Sequence, residues 1–196
     1  EKVEMQTLVT MRAILPTVEI LNEMKKFGAT EGGKQTIARL DQFICQTQGE
    51  FDLVITRRIK TKIANVYSAW VNQNELAKWW GPRYFVNPVC VFEPKINGKI
   101  QIEMEAPDGT FYKYLGIVQE IINNEKLVFT TKLVDTHGKP LVETLNTIHF
   151  SQAKDFAVLT LHAKNVLATE MGREFLNSQE ESWLSSFEKL EALLSK

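Results

Sequence analysis

The residues of this chain from which chemistry can be read are three histidines, two cysteines, a few clustered charges and a dense set of aromatic rings. His137 falls in a turn, and His149 and His162 fall on two separate strand-like segments. None has the His-x-His, His-x-x-x-His or Cys-His spacing that brings ligands to one zinc ion, so no metal site is expected. His149 and His162 could still meet across neighbouring strands as donors or a proton relay inside a cavity, although such residues more often sit at a surface or ladder edge. A Ser-His-Asp hydrolase would need a strained nucleophile turn, yet no Gly-x-Ser-x-Gly occurs, and neither Cys45 nor Cys90 has a neighbouring histidine in sequence. Gly28, Gly32 and Gly33 lie in a helical connection with no preceding strand of dinucleotide-binding type, so they punctuate helices instead of cradling a phosphate. No cofactor is expected. Of Arg57, Arg58 and Lys60, which alternate across a strand, one arginine could reach inward to anchor an anionic ligand, but such a row is more often solvated. Glu103 and Glu105 share a face with Lys99 and Gln101, opposite Ile100, Ile102 and Met104, and read as the wet side of a strand, not as a general acid and base.

What remains is aromatic. Three of the four tryptophans, Trp70, Trp79 and Trp80, fall in one short run that ends in Gly81-Pro82. Adjacent Trp79 and Trp80 point about 100° apart on a helix, so at most one can sit fully in a core while the other faces a cavity or groove. With Phe85, Phe92, Tyr112, Tyr114, Phe129, Trp183 and Phe187 they form the candidate lining of an apolar ligand site. Tyr112 and Tyr114 add hydroxyls that could orient a polar end, and His149 is a further candidate donor. For any single ring, plain core packing is the competing role.

These side chains need a scaffold, and composition says what kind. The chain has 196 residues, 44% of them apolar, enough for one domain plus an extension. With 23 basic against 24 acidic residues it has no field that gathers phosphates, and no Lys or Arg run is interleaved with aromatics, so nucleic acid is not an expected partner. No stretch reaches the roughly 18 apolar residues of a membrane span, and the first residues carry no basic segment followed by an apolar one. Two cysteines without a CxxC spacing fit a reducing compartment, and a cytoplasmic protein is expected.

Periodicity predicts a strand over 51–61 and two short helices over 64–71 and 74–80. Six strands follow over 89–93, 99–106, 110–122, 126–133, 142–150 and 156–163, and then a long helix over 170–195. Turn signals stand at Asn97-Gly98, Asp108-Gly109, Asn123-Asn124, His137-Gly138 and Ala153-Lys154-Asp155. In the last helix Leu176, Glu180, Trp183, Phe187, Leu190 and Leu194 recur at three- and four-residue steps, so this helix must cover one face of the sheet. The order describes an α+β domain: a curved antiparallel sheet of about seven strands wrapped around a long C-terminal helix, with two short helices after the first strand. A ligand cavity belongs between sheet and helix.

The segment Ala69-Trp70, the run Glu75-Leu76-Ala77-Lys78-Trp79-Trp80-Gly81-Pro82, then Pro107-Asp108-Gly109-Thr110, Tyr114-Leu115-Gly116-Ile117-Val118 and Glu125-Lys126-Leu127-Val128-Phe129-Thr130 carry a family resemblance. On them, 51–196 resembles the helix-grip (SRPBCC) superfamily of START-like and Bet v 1-like proteins, in the branch similar to the C-terminal domain of the activator of Hsp90 ATPase. One departure is that Lys62-Ile63-Ala64 lacks the proline that commonly introduces the family's first helix. The resemblance implies a binding module for a hydrophobic or amphipathic small molecule. Two alternatives stay open: a protein-interaction domain like the Hsp90 activator's C-terminal part, and an enzyme of the cyclase or aromatase type with His149, His162, Tyr112 and Tyr114 as donors.

Residues 1–49 fall outside that fold, and 50–196 make up the domain. Laid without a gap against 159–196, residues 9–46 match at Thr10, Ala13, Glu31 and Leu40 with Thr160, Ala163, Glu181 and Leu190, and in residue class at several positions more. The expectation is that 1–49 is the last strand and helix of a preceding tandem copy. An unrelated helical arm is the alternative. Either way its apolar face calls for a partner: its own domain, a second copy of the chain, or a missing first half.

Overall fold

Apolar residues recurring at every second position lay down the strands, and five tight turns set their register. The computed structural model describes Ile14, residues 16–28, 32–34, Thr36 and 52–195. The chain divides into two compact units, Glu1–Gln48 and Gly49–Lys196. In the first, helix α1 (Val18–Lys26) is capped by Thr17, whose side chain accepts from the Ile20 amide at 3.3 Å. The strand expected near the start of this segment lies outside the described residues.

The second unit runs β1 (Leu53–Ile59), α2 (Ile63–Val71), α3 (Gln73–Trp79), β2 (Val86–Phe92), β3 (Lys99–Glu105), β4 (Phe111–Ile122), β5 (Lys126–Val134), β6 (Pro140–Ala153), β7 (Phe156–Ala168), α4 (Glu170–Asn177) and α5 (Gln179–Leu194). The strands form one antiparallel sheet in the order β1-β7-β6-β5-β4-β3-β2. Six consecutive strands make the expected meander, and the first strand joins its far edge, with Leu53 opposite Ala163 and Ile59 opposite Ala157. Each expected turn holds one residue of positive φ: Asn97, Gly109, Asn124, Gly138 and Lys154.

Three helices of the domain, α2, α3 and α4, begin where a side chain satisfies a free amide. Asn72 caps α3 by accepting from the Asn74 and Glu75 amides. At α2 the missing proline has a counterpart: the Ile63 amide donates to the Gln152 side chain at 2.7 Å, a bond a proline there could not make. The long C-terminal helix is in fact two. Ser178, at φ −102° and ψ 4°, separates α4 from α5, and its hydroxyl donates to the Phe175 carbonyl. Leu176 therefore leaves the stripe assigned to it and packs with Leu133 and Val142 in a small second cluster. Phe187 and Leu190 of α5 share the main core with Ile55, Ile102, Phe129, Ile148 and Leu161, which come from five strands, so the sheet grips this helix. The fold is helix-grip.

Candidate functional site

A cavity of about 390 Å³ opens between the sheet and the C-terminal helices. Inward-facing residues of β3 to β6 supply one wall, from Met104, Tyr112 and Tyr114 to Thr131, Leu133, Val142, Thr144 and Asn146. Phe175 and Leu176 of α4 and Gln179, Ser182, Trp183 and Ser186 of α5 supply the other. The turn Trp80-Gly81-Pro82 with Phe85 closes one side, and Glu174 and Ser178 complete the lining.

Trp79 and Trp80 are both buried in the main core, but only Trp80 also borders the cavity. Trp79 is wholly buried, with its indole N–H donating to the Ala69 carbonyl at 2.9 Å. Trp80 caps α3 and puts its ring on the cavity wall, 5.1 Å and nearly perpendicular to Trp183. Of the candidate residues, Trp80, Phe85, Tyr112, Tyr114 and Trp183 meet at the cavity. Trp70, Phe92, Phe129 and Phe187 are core, like Trp79. Trp70 is the hub, with ring contacts to Trp79, Trp80, Phe129, Phe150, Trp183 and Phe187. His149 is exposed between buried Ile148 and Phe150, on the opposite face of the sheet, so it is not part of the site. His162 shares that outer face, opposite Thr147, and His137 sits in the β5–β6 turn. No histidine lines the cavity. Arg57 turns to the inner face but lies 3.8 Å from Glu191 and outside the cavity.

Residue type alone did not reveal the polar half of the lining. Thr131, Thr144, Asn146 and Ser186 are the buried polar side chains among the described residues, and all four face the cavity. Asn146 donates to the Thr131 hydroxyl at 3.0 Å, and the Thr144 hydroxyl donates to Asn165 at 2.7 Å. Asn165 in turn donates to Gln179 of α5 through its side chain and to Asp52 through its amide, so the network ties sheet, helix and β1 start together. The signal was available: Val142, Ile148 and Phe150 are buried, and the two-residue period they define puts Thr144 and Asn146 on the same side. Likewise Ser182 and Ser186 stand in one column with Leu190.

Tyr114 faces the cavity with no hydrogen-bond partner for its phenol among the described residues. Burial, with a smaller contribution from Tyr112, pushes its pKa up to about 12. Cys90, half-buried on β2, is also pushed up, to about 11, by burial, so it stays a thiol near neutrality. Among the described residues no group of three or more His, Cys, Asp or Glu side chains is placed to hold a metal, and no helix is long and apolar enough to cross a membrane.

A seven-stranded sheet wrapped around a terminal helix with a lined cavity between them defines a helix-grip domain. Residues 60–195 match the family described as "Activator of Hsp90 ATPase homolog 1-like protein", and the chain belongs to that family. Solved structures agree in fold. A protein of Arthrobacter aurescens is 23% identical with a TM-score of 0.67, covering 74% of this chain and 86% of that one. The AHSA1 protein of Silicibacter pomeroyi is 23% identical at a TM-score of 0.65, covering 74% and 97%. A protein of Chromobacterium violaceum is 23% identical at 0.64, covering 76% and 99%. No curated protein matches the chain. A fold of this type supports ligand-binding or activator-like domains in general.

Proposed function

We propose that the helix-grip domain is a cytoplasmic binding module that holds a hydrophobic or amphipathic small molecule in this cavity without covalent chemistry. The observation that carries this reading is the gathering of Thr131, Thr144, Asn146 and Ser186 with the rings of Trp80, Tyr112 and Trp183 around one cavity. Burying a polar group costs about 1–3 kcal/mol unless it is hydrogen-bonded; each of these four has a bond within the protein and keeps further donor or acceptor capacity for a ligand. A lining of both characters suits an amphipathic ligand.

Native mass spectrometry of the protein from its own host, followed by denaturing extraction, tests the reading. A discrete small molecule in stoichiometric amount is the expected result. An empty cavity in a protein that arrives with a second polypeptide would instead favour the interaction domain.

We infer further that residues 1–49 are the end of a preceding copy. In support, a Thr17-capped helix followed by helical residues at 32–34 parallels Thr169-capped α4 followed by α5. Every residue of α1 is exposed, with Val18, Ile20, Leu21 and Met24 left for a partner to cover. The intact mass of the host protein tests this: a mass equal to this chain alone would overturn it.

A further inference from the structure

Resting on that reading, we propose that the ligand is an uncharged molecule with hydroxyl or carbonyl groups along one edge of an otherwise apolar, ring-like body.

The charge argument comes first. Among the residues lining the cavity Glu174 alone is charged, and it is solvent-exposed. Four basic side chains near the wall are committed elsewhere. Arg83 pairs with Glu188 at 2.6 Å, Lys113 with Glu103, and Lys132 with Glu143. The Lys189 ammonium is held by four backbone carbonyls. An anionic head drawn into this space would lose its water with no cation to replace it, a cost of several kcal/mol. A cationic head would find Glu174 only where water already screens it.

The polar groups are arranged as two facing stripes. Thr131 and Thr144 stand opposite each other in the β5–β6 register, with Asn146 the next inward residue of β6. Gln179, Ser182 and Ser186 follow one another along α5 on the other wall. With the Asn146 amide nitrogen donating to Thr131, its carbonyl oxygen is left as an acceptor, and the Thr131 hydroxyl keeps its own proton to donate. Tyr114 adds a second unengaged donor. A hydroxyl, which both donates and accepts, satisfies this set, and a carbonyl takes the donors. Trp80, Phe85, Tyr112 and Trp183 leave flat apolar surface for the body of the molecule.

Isothermal titration of the full chain at neutral pH with four probes of one ring system tests the proposal: 2-naphthol, 2-naphthoate, 2-naphthylmethylammonium and naphthalene. The expected order has 2-naphthol at least about tenfold tighter than either ion, about 1.4 kcal/mol, and tighter than naphthalene. Asn146→Leu should lower 2-naphthol to the naphthalene level and leave naphthalene unchanged, and Thr131→Val serves should that variant not fold. Either ion binding as well as 2-naphthol overturns the uncharged class while the binding module stands. Equal binding of 2-naphthol and naphthalene overturns the role of the polar stripe. Failure of all four probes to bind overturns the proposal together with the binding module beneath it.

Discussion

The Lys189 ammonium donates to the Trp80 carbonyl at 3.3 Å and, on the same turn, to those of Gly81, Pro82 and Phe85 at 3.2, 3.4 and 3.4 Å. Among the described residues no carboxylate takes part; the charge is solvated by backbone, and burial lowers its pKa. Two further bonds strengthen the same joint, the Arg83 amide to the Ser185 hydroxyl at 2.7 Å and the Arg83 guanidinium to Glu188. From the strand side, Asn87 donates to the carbonyls of Ala77 and Trp80, closing the end of α3. The turn that walls the cavity is thus fixed to α5 on one side and to β2 on the other.

Lys189→Met should keep the apolar stem and leave those carbonyls without their donor. A loss of roughly 1–2 kcal/mol is expected, read as a lower urea midpoint at unchanged slope. An unchanged midpoint would show that water replaces the ammonium without cost.

Gly81 adopts φ +84°, and a Cβ there would stand 2.6 Å from the Met104 sulfur. Gly81→Ala should cost about 1–3 kcal/mol, part backbone strain and part displacement of Met104 into the cavity. Adding Met104→Ala relieves only the second part, so a double-mutant cycle in chemical denaturation should give a favourable coupling; strict additivity would place the whole cost in the backbone.

Trp79→Ala removes a fully buried ring and should destabilise by about 3–5 kcal/mol, whereas Trp80→Ala merges its space with an existing cavity and should cost less. Binding of 2-naphthol should respond in the opposite order. Equal stability losses would mean that the Trp80 ring is held as tightly as the core.

The phenol of Tyr114, raised from 10.0 to about 12, stabilises the fold in its neutral form. That contribution is complete below pH 10, the unfolded value, and is lost as pH rises towards about 12. Wild type should therefore lose more stability than Tyr114→Phe across that window, as followed by thermal melts; parallel curves would contradict it.

Much of this was legible in the chain. Alternating strands, Asn-Gly and Asp-Gly turns and the apolar column Phe187, Leu190 each report a local period, and local periods survive into the fold. The pairing of β1 with β7 has no such mark, because register between distant strands is set by which edge is free once the meander has formed. The break at Ser178 was hidden for a different reason: a single residue can leave helical geometry while the apolar spacing on both sides continues. For the site, ring type selected too many residues. Large aromatics satisfy core and cavity equally, so Trp70, Phe92, Phe129 and Phe187 were indistinguishable from Trp80 until neighbours were known. Thr144 and Asn146 needed the opposite treatment, since their position in the two-residue period, not their polarity, told which way they face.

The station of β1 at the far edge, Leu53 beside Ala163, also sets an order of events. Of these seven strands it is made first, but among the described residues it pairs only with β7, the last of the seven. Until then Ile55 and Ile59 have no ladder to join, and loop closure over nearly the whole domain precedes their burial. The meander can assemble as it is made; the edge that completes it waits for β7.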